Sequence, residues 1–196
     1  MNTKSIWMML VLLLCSQQAS AIVISFDSAT SVGLNDSVSV NVNVSGLGNY
    51  SPSTLGAFYV SVLFDPGVLS FNSAQYGPFL GNPDDPFETD IVTTAVSGRV
   101  SLDEFSFLFD YELDGLQPGN FTLATLNFTG IGEGFSKLSI GDTDISDGVG
   151  NTIISTLIDG GINVESKTSV PEPSSLSLLF VLGVGLMLLK RQGRES

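Results

Sequence analysis

The 196-residue sequence contains no histidine and only one cysteine, Cys15, which lies in an apolar N-terminal segment. Without histidine the chain has no Ser-His-Asp or Cys-His triad, and no zinc site built from histidine and cysteine. With one cysteine it forms no intramolecular disulfide. An exported domain made from this sequence therefore depends on its hydrophobic core, with or without the help of a bound metal ion.

Cations are also scarce, because seven Lys and Arg residues stand against 20 Asp and Glu residues, a formal net charge of −13. Residues 22–169 hold 18 of the acidic residues and only three cations, a net charge of −15. A surface this negative repels phosphates, which excludes nucleic-acid binding. Metal cations, neutral sugars and basic protein partners remain as candidate ligands.

The N-terminus has the layout of a secretory signal peptide. Lys4 precedes an apolar stretch over residues 6–14, and a small-x-small sequence ends the segment at Ala19 and Ala21. The short apolar stretch suits the translocon, and signal peptidase requires small residues at these two positions. The sequence predicts cleavage after Ala21.

The C-terminus carries a second apolar run, residues 176–189, followed by the cations Lys190, Arg191 and Arg194. A helix over residues 174–189 would be about 24 Å long, somewhat shorter than a hydrocarbon core of about 30 Å. Cations on one flank alone favour a single transmembrane helix with a cytoplasmic tail over a buried helix of the domain.

The linker before this run, residues 167–175, contains Pro171, Glu172 and Pro173. The proline-flanked glutamate, the apolar run and the terminal cluster of Lys190, Arg191 and Arg194 together resemble the PEP-CTERM sorting signal of Gram-negative bacteria that produce exopolysaccharide. In that family an exosortase, a membrane protease-transpeptidase, recognises the tripeptide and removes the tail. The resemblance implies a transient hold in the inner membrane, followed by transfer to the cell surface or the extracellular matrix.

Between the two ends the period of the hydrophobic residues is that of β-strands. In "NDSVSVNVNVSG" the four valines from Val38 to Val44 alternate with Ser and Asn, which predicts one buried face and one wet face. Phe58, Val60 and Val62 repeat the pattern, and Phe105, Phe107 and Phe109 are predicted in the same way to be core residues. Ile22 to Phe26, "VLSF", "IVTTAVSGRVSL", "LATLNF", "SKLSI", "NTIIST" and "GINV" supply further strands. About nine short strands, with Gly, Asp, Asn and Pro in the turns and no helical period, predict an all-β antiparallel sandwich.

Three stretches of this region resemble the cohesin domain, whose relatives include carbohydrate-binding modules. They are "GAFYVSVLFDPGVLSF", "LATLNFTGIGEGFSKLSI", and "DISDGVGNTI" with the following "DGGINV". The resemblance implies a jelly-roll sandwich and a binding or structural role without catalysis. Cohesins of cellulose-degrading assemblies hold dockerin modules through one face of the sandwich, but this sequence has a single copy, no cellulose-binding domain and a different sorting signal.

A candidate calcium site lies in "GDTDISDGVGN", where Asp142, Asp144, Asp147 and Asn151 offer oxygen ligands. Calcium requires six to eight such oxygens, and an exported acidic protein meets it outside the cell. The glycine is one position late for an EF-hand, and no glutamate closes the loop. The alternative is an Asx-rich turn between strands.

Two other groups of residues are candidates for sugar chemistry. Tyr50, Tyr76 and Phe79 are predicted in loops, where they could stack on sugar rings. Paired carboxylates would be needed for glycoside hydrolysis, at separations of about 5 to 9.5 Å. The carboxylates available around one strand are Asp103, Glu104, Asp110, Glu112 and Asp114.

The sequence thus predicts an exported, non-enzymatic surface or extracellular-matrix protein with an adhesive or structural cohesin-like module. The alternatives are a module that binds exopolysaccharide or a dockerin-type protein, with Ca²⁺ ordering its loops, and a carboxylate glycoside hydrolase. The predicted segments are the signal peptide (1–21), the sandwich (22–166), the linker (167–175), the transmembrane helix (176–189) and the basic tail (190–196).

Overall fold

The computed structural model describes residues 22–27, 30–48 and 54–166. The chain divides into two compact units, Met1–Ser166 and Lys167–Ser196, and every described residue belongs to the first. The predicted signal peptide, linker, transmembrane helix and tail lie outside the described residues. So do the residues assigned to their processing: Ala19, Ala21, Pro171, Glu172, Pro173, Lys190, Arg191 and Arg194. Within the part of the chain that the structure describes, no helix is long and apolar enough to cross a membrane.

The described residues form two β-sheets. The five-stranded sheet has the order β10-β1-β3-β8-β5. Its strands are β1 (Ile22–Phe26), β3 (Ser37–Ser45), β5 (Leu69–Tyr76), β8 (Asn120–Gly130) and β10 (Ser155–Ile158). The six-stranded sheet has the order β2-β11-β9-β4-β7-β6. Its strands are β2 (Thr30–Gly33), β4 (Ala57–Leu63), β6 (Thr89–Val96), β7 (Arg99–Ser106), β9 (Gly134–Ser146) and β11 (Gly160–Glu165).

The predicted sandwich is confirmed, with eleven strands where the sequence indicated about nine. Strand β2, which the pattern did not predict, and β10 each lie at the edge of a sheet and pair in parallel with β11 and β1, respectively. The predicted strand "NTIIST" is correct only from Ser155 onward. Before it, Thr152 makes a single bridge to Ser146.

Strand β3 shows why the sheets face each other. Val40, Val42 and Val44 are buried, as their alternation predicts. The intervening polar residues point outward, where the Thr125 hydroxyl donates to Asn41 at 2.7 Å and the Ser39 hydroxyl donates to Asn127 at 2.6 Å. The outer side of the five-stranded sheet is therefore covered by polar side chains that bond to one another.

The core lies between the sheets and is built from aromatic and branched side chains. Phe128 of β8 is fully buried, and its ring meets those of Phe64 and Phe71 edge-on at centroid distances of 5.2 and 5.8 Å. Such edge-to-face contacts are favoured because the positive edge of one ring meets the negative face of another. Phe58 of β4 is also buried, as predicted.

The prediction that Phe105, Phe107 and Phe109 are core residues is wrong. Val100 and Leu102 of β7 are fully buried, so the two-residue period of a strand turns Phe105 outward. The side chains of Phe105, Phe107 and Phe109 are 52%, 52% and 66% exposed.

The sandwich region, in which the sequence shows no helical period, contains one short helix: β7 ends at Ser106 and α1 (Asp110–Leu116) follows. Glu112 begins it by accepting a hydrogen bond from the amide of Phe109 at 2.9 Å. Leu113 is the buried residue that holds the helix to the domain. Seven residues are too few for a helical period to show in the sequence.

Candidate functional site

The outer side of the six-stranded sheet differs from the polar outer side of its partner. Strands β6, β7, β4 and β9 lie side by side there, and we call their outward-facing residues the six-stranded face. Its central row crosses four strands: Val92 pairs with Asp103, Asp103 with Tyr59, and Tyr59 with Asp144. Because the sheet fixes the backbone of all four strands, these residues lie in one row across the face.

A polar network ties the centre of the face together. The Arg99 guanidinium donates to the hydroxyl of Tyr59 at 3.1 Å and to the carboxylate of Asp142 at 2.8 Å. The hydroxyls of Tyr59 and Ser101 lie 3.2 Å apart. The hydrogen bond to Tyr59, more than the exposed ion pair with Asp142, raises the pKa of Arg99. Arg99 of β7 is thereby linked to β4 and β9.

Acidic groups lie near this network. Partial burial is the main cause that raises the pKa of Asp103. The neighbouring carboxylates of Asp90 and Asp144 raise it further. Carboxylates on β6, β7 and β9 make this part of the face electronegative, since the charges of Asp90 and Asp144 both act on Asp103. A cationic group arriving from a partner would relieve that repulsion.

Apolar side chains are exposed on the same face. Val92 and Val96 of the edge strand β6 are 51% and 62% exposed, and Leu63 of β4 is 42% exposed. Large apolar side chains that stay in solvent beside charged groups are typical of protein interaction sites.

Two grooves indent this side of the domain and share Phe105, Ser146 and Gly150 in their walls. The first, of about 440 Å³, lies on the face between Tyr59, Asp103 and Asp144. The second, of about 290 Å³, runs past the end of the sheet beside Leu108, Val149 and Gly148. Phe105 therefore stands between a groove on the sheet and a groove at its end.

The residues predicted to bind calcium have separate partners. Asp142 forms an ion pair with Arg99, and Asp144 lies in the central row of the face, opposite Tyr59. The Asp147 carboxylate accepts hydrogen bonds from the amides of Val149 and Asn151 at 3.1 and 2.8 Å, and from the side chain of Asn151 at 2.9 Å. The Asp147–Asn151 segment thus has the geometry of an Asx turn, which was the alternative to a calcium site. In the described ranges no group of three His, Cys, Asp or Glu residues is arranged to hold a metal ion.

The aromatic residues predicted to stack on sugars do not lie in open loops where the structure describes them. Tyr76 is the last residue of β5; its ring stacks on Phe58 at 6.2 Å and its hydroxyl donates to the carbonyl of Val92 at 3.0 Å. Phe79 packs against the core, with its ring 4.8 Å from that of Phe121. Tyr50 lies outside the described residues. Tyr76 and Phe79 are both partly buried and pack against the core.

The carboxylates considered for hydrolysis are dispersed. Asp103 and Glu104 are neighbours in β7 and point to opposite sides of the sheet. Glu104 is fully buried, Asp110 accepts a hydrogen bond from the hydroxyl of Thr54, and Glu112 caps α1. The set does not meet in one groove.

Sequence reasoning missed Tyr59, Arg99 and Val92, because an exposed tyrosine, arginine or valine in a strand carries no motif. A signal was nevertheless present in β7. Val100 and Leu102 are the apolar residues that fix its inner side, and the period of two then assigns Asp103 and Phe105 to the outside.

No protein-family model and no curated protein sequence matches this chain. Solved structures of cohesins do match its fold. A non-cellulosomal cohesin from Archaeoglobus fulgidus is 15% identical, with a TM-score of 0.58, over 76% of this chain and 94% of that one. The sixth cohesin of scaffoldin B from Acetivibrio cellulolyticus, solved in complex with a dockerin, is 22% identical, with a TM-score of 0.58, over 74% and 99%. The seventh ScaB type I cohesin from Pseudobacteroides cellulosolvens is 12% identical, with a TM-score of 0.61, over 78% and 97%. The cohesin-like fold that the sequence indicated is confirmed.

Proposed function

We propose that this chain is an exported, non-enzymatic binding module of the bacterial surface or extracellular matrix, which holds a protein partner through its six-stranded face. The observation that carries the proposal is the contrast between the two outer sides of the sandwich. One side satisfies its polar groups internally, whereas the other exposes valines beside a fixed arginine and a set of carboxylates.

The charges of this face specify the partner. Arg99 and Lys137 are the two cations within residues 22–166, and both are in ion pairs, at 2.8 Å with Asp142 and at 2.7 Å with Asp159. Asp90, Asp103 and Asp144 are exposed carboxylates around the central row. Complementarity therefore favours a partner that brings basic side chains to these carboxylates and apolar ones to Val92 and Val96.

A dockerin-type module is the partner class that we propose first. The Acetivibrio cohesin with the same fold was solved with a dockerin bound.

Delivery to the surface is proposed from the sequence. The signal peptide would begin export, the apolar run 176–189 would hold the chain in the inner membrane, and an exosortase would read Pro171, Glu172 and Pro173. The sandwich would then be transferred to the cell surface or matrix of a Gram-negative bacterium.

The test is affinity capture on the immobilised full-length chain, from the extracellular fraction of the native culture, with identification of the retained proteins. The face variant carries Val92→Lys and Thr94→Lys on edge strand β6. The control variant carries Ser73→Lys and Gln75→Lys on β5, the edge strand of the other sheet, so that both have the same change in charge. We expect a basic protein retained by the wild type and the control and lost from the face variant. A set of retained proteins that is the same for all three would contradict the proposal.

A further inference from the structure

Four aromatic side chains, which begin on the six-stranded face at Phe105 and continue past its end, stay in solvent. We call Phe105, Phe107, Phe109 and Tyr111 the aromatic ridge. The exposed fractions of Phe107, Phe109 and Tyr111 are 52%, 66% and 72%. Side chains of this size are normally the first to be buried, and exposed apolar patches of this kind mark interaction sites.

The rings are arranged in two pairs. Phe105 and Phe107 meet edge-on, with centroids 5.5 Å apart and planes at 64°. The planes of Phe109 and Tyr111 are only 10° apart, with centroids separated by 5.7 Å. A flat ligand that lies on one ring of this second pair is therefore parallel to the other ring as well.

The backbone that carries the ridge is fixed by hydrogen bonds, although its rings are exposed to solvent. The amide of Phe107 donates to the carbonyl of Glu88 at 2.8 Å, and that of Leu108 to the hydroxyl of Ser106 at 3.1 Å. At the other end, Gln117 makes reciprocal hydrogen bonds of 2.7 Å with the backbone of Leu55. A binding surface that is fixed before the ligand arrives loses less conformational entropy on binding.

The ridge comes at a cost in stability, which points to a function. Strand β7 buries Glu104, one of whose carboxylate oxygens has no hydrogen-bond partner among the described residues, while it exposes Phe105. Burying an acid and exposing an aromatic in the same strand is the reverse of what folding alone favours. Departures of this kind are concentrated at functional sites.

We propose that the aromatic ridge and the two grooves that meet at Phe105 bind a neutral polysaccharide. The C–H groups of a sugar ring pack on the electronegative face of an aromatic ring, and its hydroxyls need hydrogen-bond acceptors. The grooves supply acceptors in Asp103, Asp144 and Ser146, and none of their lining residues is a cation. Uronic or sulfated polymers would be repelled by these carboxylates, so the site favours neutral over anionic chains.

This inference goes beyond the protein-binding face, because the ridge lies mainly past the end of β7. A ligand on Phe109 and Tyr111 leaves the edge strand β6 open. The groove that holds Asp103 and Asp144 belongs to both surfaces, so sugar and protein would compete for these two carboxylates, whereas Phe109 and Tyr111 would bind sugar alone.

The test is affinity gel electrophoresis of the full-length chain in detergent, in gels that contain galactomannan, xyloglucan or dextran as neutral polymers, or alginate as the anionic one. The ridge variant carries Phe109→Ala and Tyr111→Ala. The control, Phe135→Ala, removes a 59% exposed ring at the opposite end of β9. We expect at least one neutral polymer to retard the wild type and the control, with affinity roughly tenfold or more weaker in the ridge variant.

Three results would overturn the proposal: no retardation in any of the three neutral gels, equal retardation of the ridge variant, or retardation by alginate alone. Loss of a captured protein from the ridge variant without any glycan retardation would assign the ridge to a protein instead. Because the face variant at Val92 and Thr94 leaves the ridge intact, we expect it to keep its glycan retardation whether or not the protein-binding proposal holds. Unchanged circular dichroism and melting temperature would show that the ridge variant is folded.

Discussion

The Thr89 hydroxyl donates to one oxygen of the buried Glu104 carboxylate at 3.1 Å, and the second oxygen has no partner among the described residues. Burial, only partly offset by this hydrogen bond, raises the pKa of Glu104 to about 7 from an ordinary value of 4.5. The folded protein therefore holds this proton more tightly than the unfolded chain does.

Stability is expected to fall as the pH rises. The contribution of Glu104 is fully present below pH 4.5 and is lost as the pH passes 7, which amounts to about 3 kcal/mol over the whole interval. Thermal melts between pH 5 and pH 8 measure this loss. Glu104→Gln removes most of the slope and raises the melting temperature at pH 8. A wild type equally stable at pH 5 and pH 8 would show that Glu104 titrates normally.

Asp147 is expected to stabilise its turn without a metal ion. Burial acts to raise its pKa, but hydrogen bonds from Asn151, Val149 and Gly150 outweigh burial and lower it. Asp147→Ala should destabilise the domain by about 1–2 kcal/mol, measured by urea unfolding. The melting temperature of the wild type should not change when calcium or a chelator is added. A clear fall with chelator would instead support calcium ligation by Asp142, Asp144, Asp147 and Asn151.

Tyr76 is expected to be a residue of the fold rather than of the glycan site. Tyr76→Ala removes a ring that stacks on Phe58 and a hydroxyl that reaches Val92 and Thr93, and should cost about 2–4 kcal/mol. Tyr76→Phe, which loses only the hydroxyl, should cost about 1 kcal/mol. Both variants should keep the glycan retardation of the wild type, unlike the ridge variant. Retardation lost in a folded Tyr76→Phe protein would place the sugar site at β5.

Processing of both ends is expected to be visible in the mass of the mature protein. Intact-mass analysis of the surface-released form should give an N-terminus at Ile22 and a C-terminus before Leu176. Glu172→Ala should leave a longer, membrane-retained form, because the exosortase would no longer read the tripeptide. A released protein that still carries residues 176–196 is incompatible with the proposed sorting.

The strands of the sandwich could be predicted from the sequence, but not all of their orientations. Alternation in β3 assigned Val40, Val42 and Val44 correctly, because the polar residues between them leave one choice of inner side. In β7 and the residues after it, the alternating phenylalanines predicted core residues, but Phe105, Phe107 and Phe109 are exposed. Val100 and Leu102 fix the inner side of β7, and a period of two then forces Phe105 into solvent.

The binding face depends on sequence-distant strands, which explains why the sequence did not show it. Arg99 meets Asp142 and Tyr59 only because β4 lies between β7 and β9. Sequence spacing carries no information on such cross-strand neighbours until the order of the sheet is known. The acidic residues of "GDTDISDGVGN" indicated a cation site by their composition alone. In the structure the Asp147 carboxylate already accepts hydrogen bonds from Val149 and Asn151 of its own turn.

The most direct test of the central claim is carboxyl footprinting of the chain with and without its captured protein partner. Carbodiimide labelling, read by peptide mass analysis, reports the accessibility of each carboxylate. We predict that the partner protects Asp90, Asp103 and Asp144 of the six-stranded face, while the exposed Asp114 and Glu133 label equally in both states. Unchanged labelling of the three face carboxylates in the complex, or protection at Glu133 instead, would contradict the account.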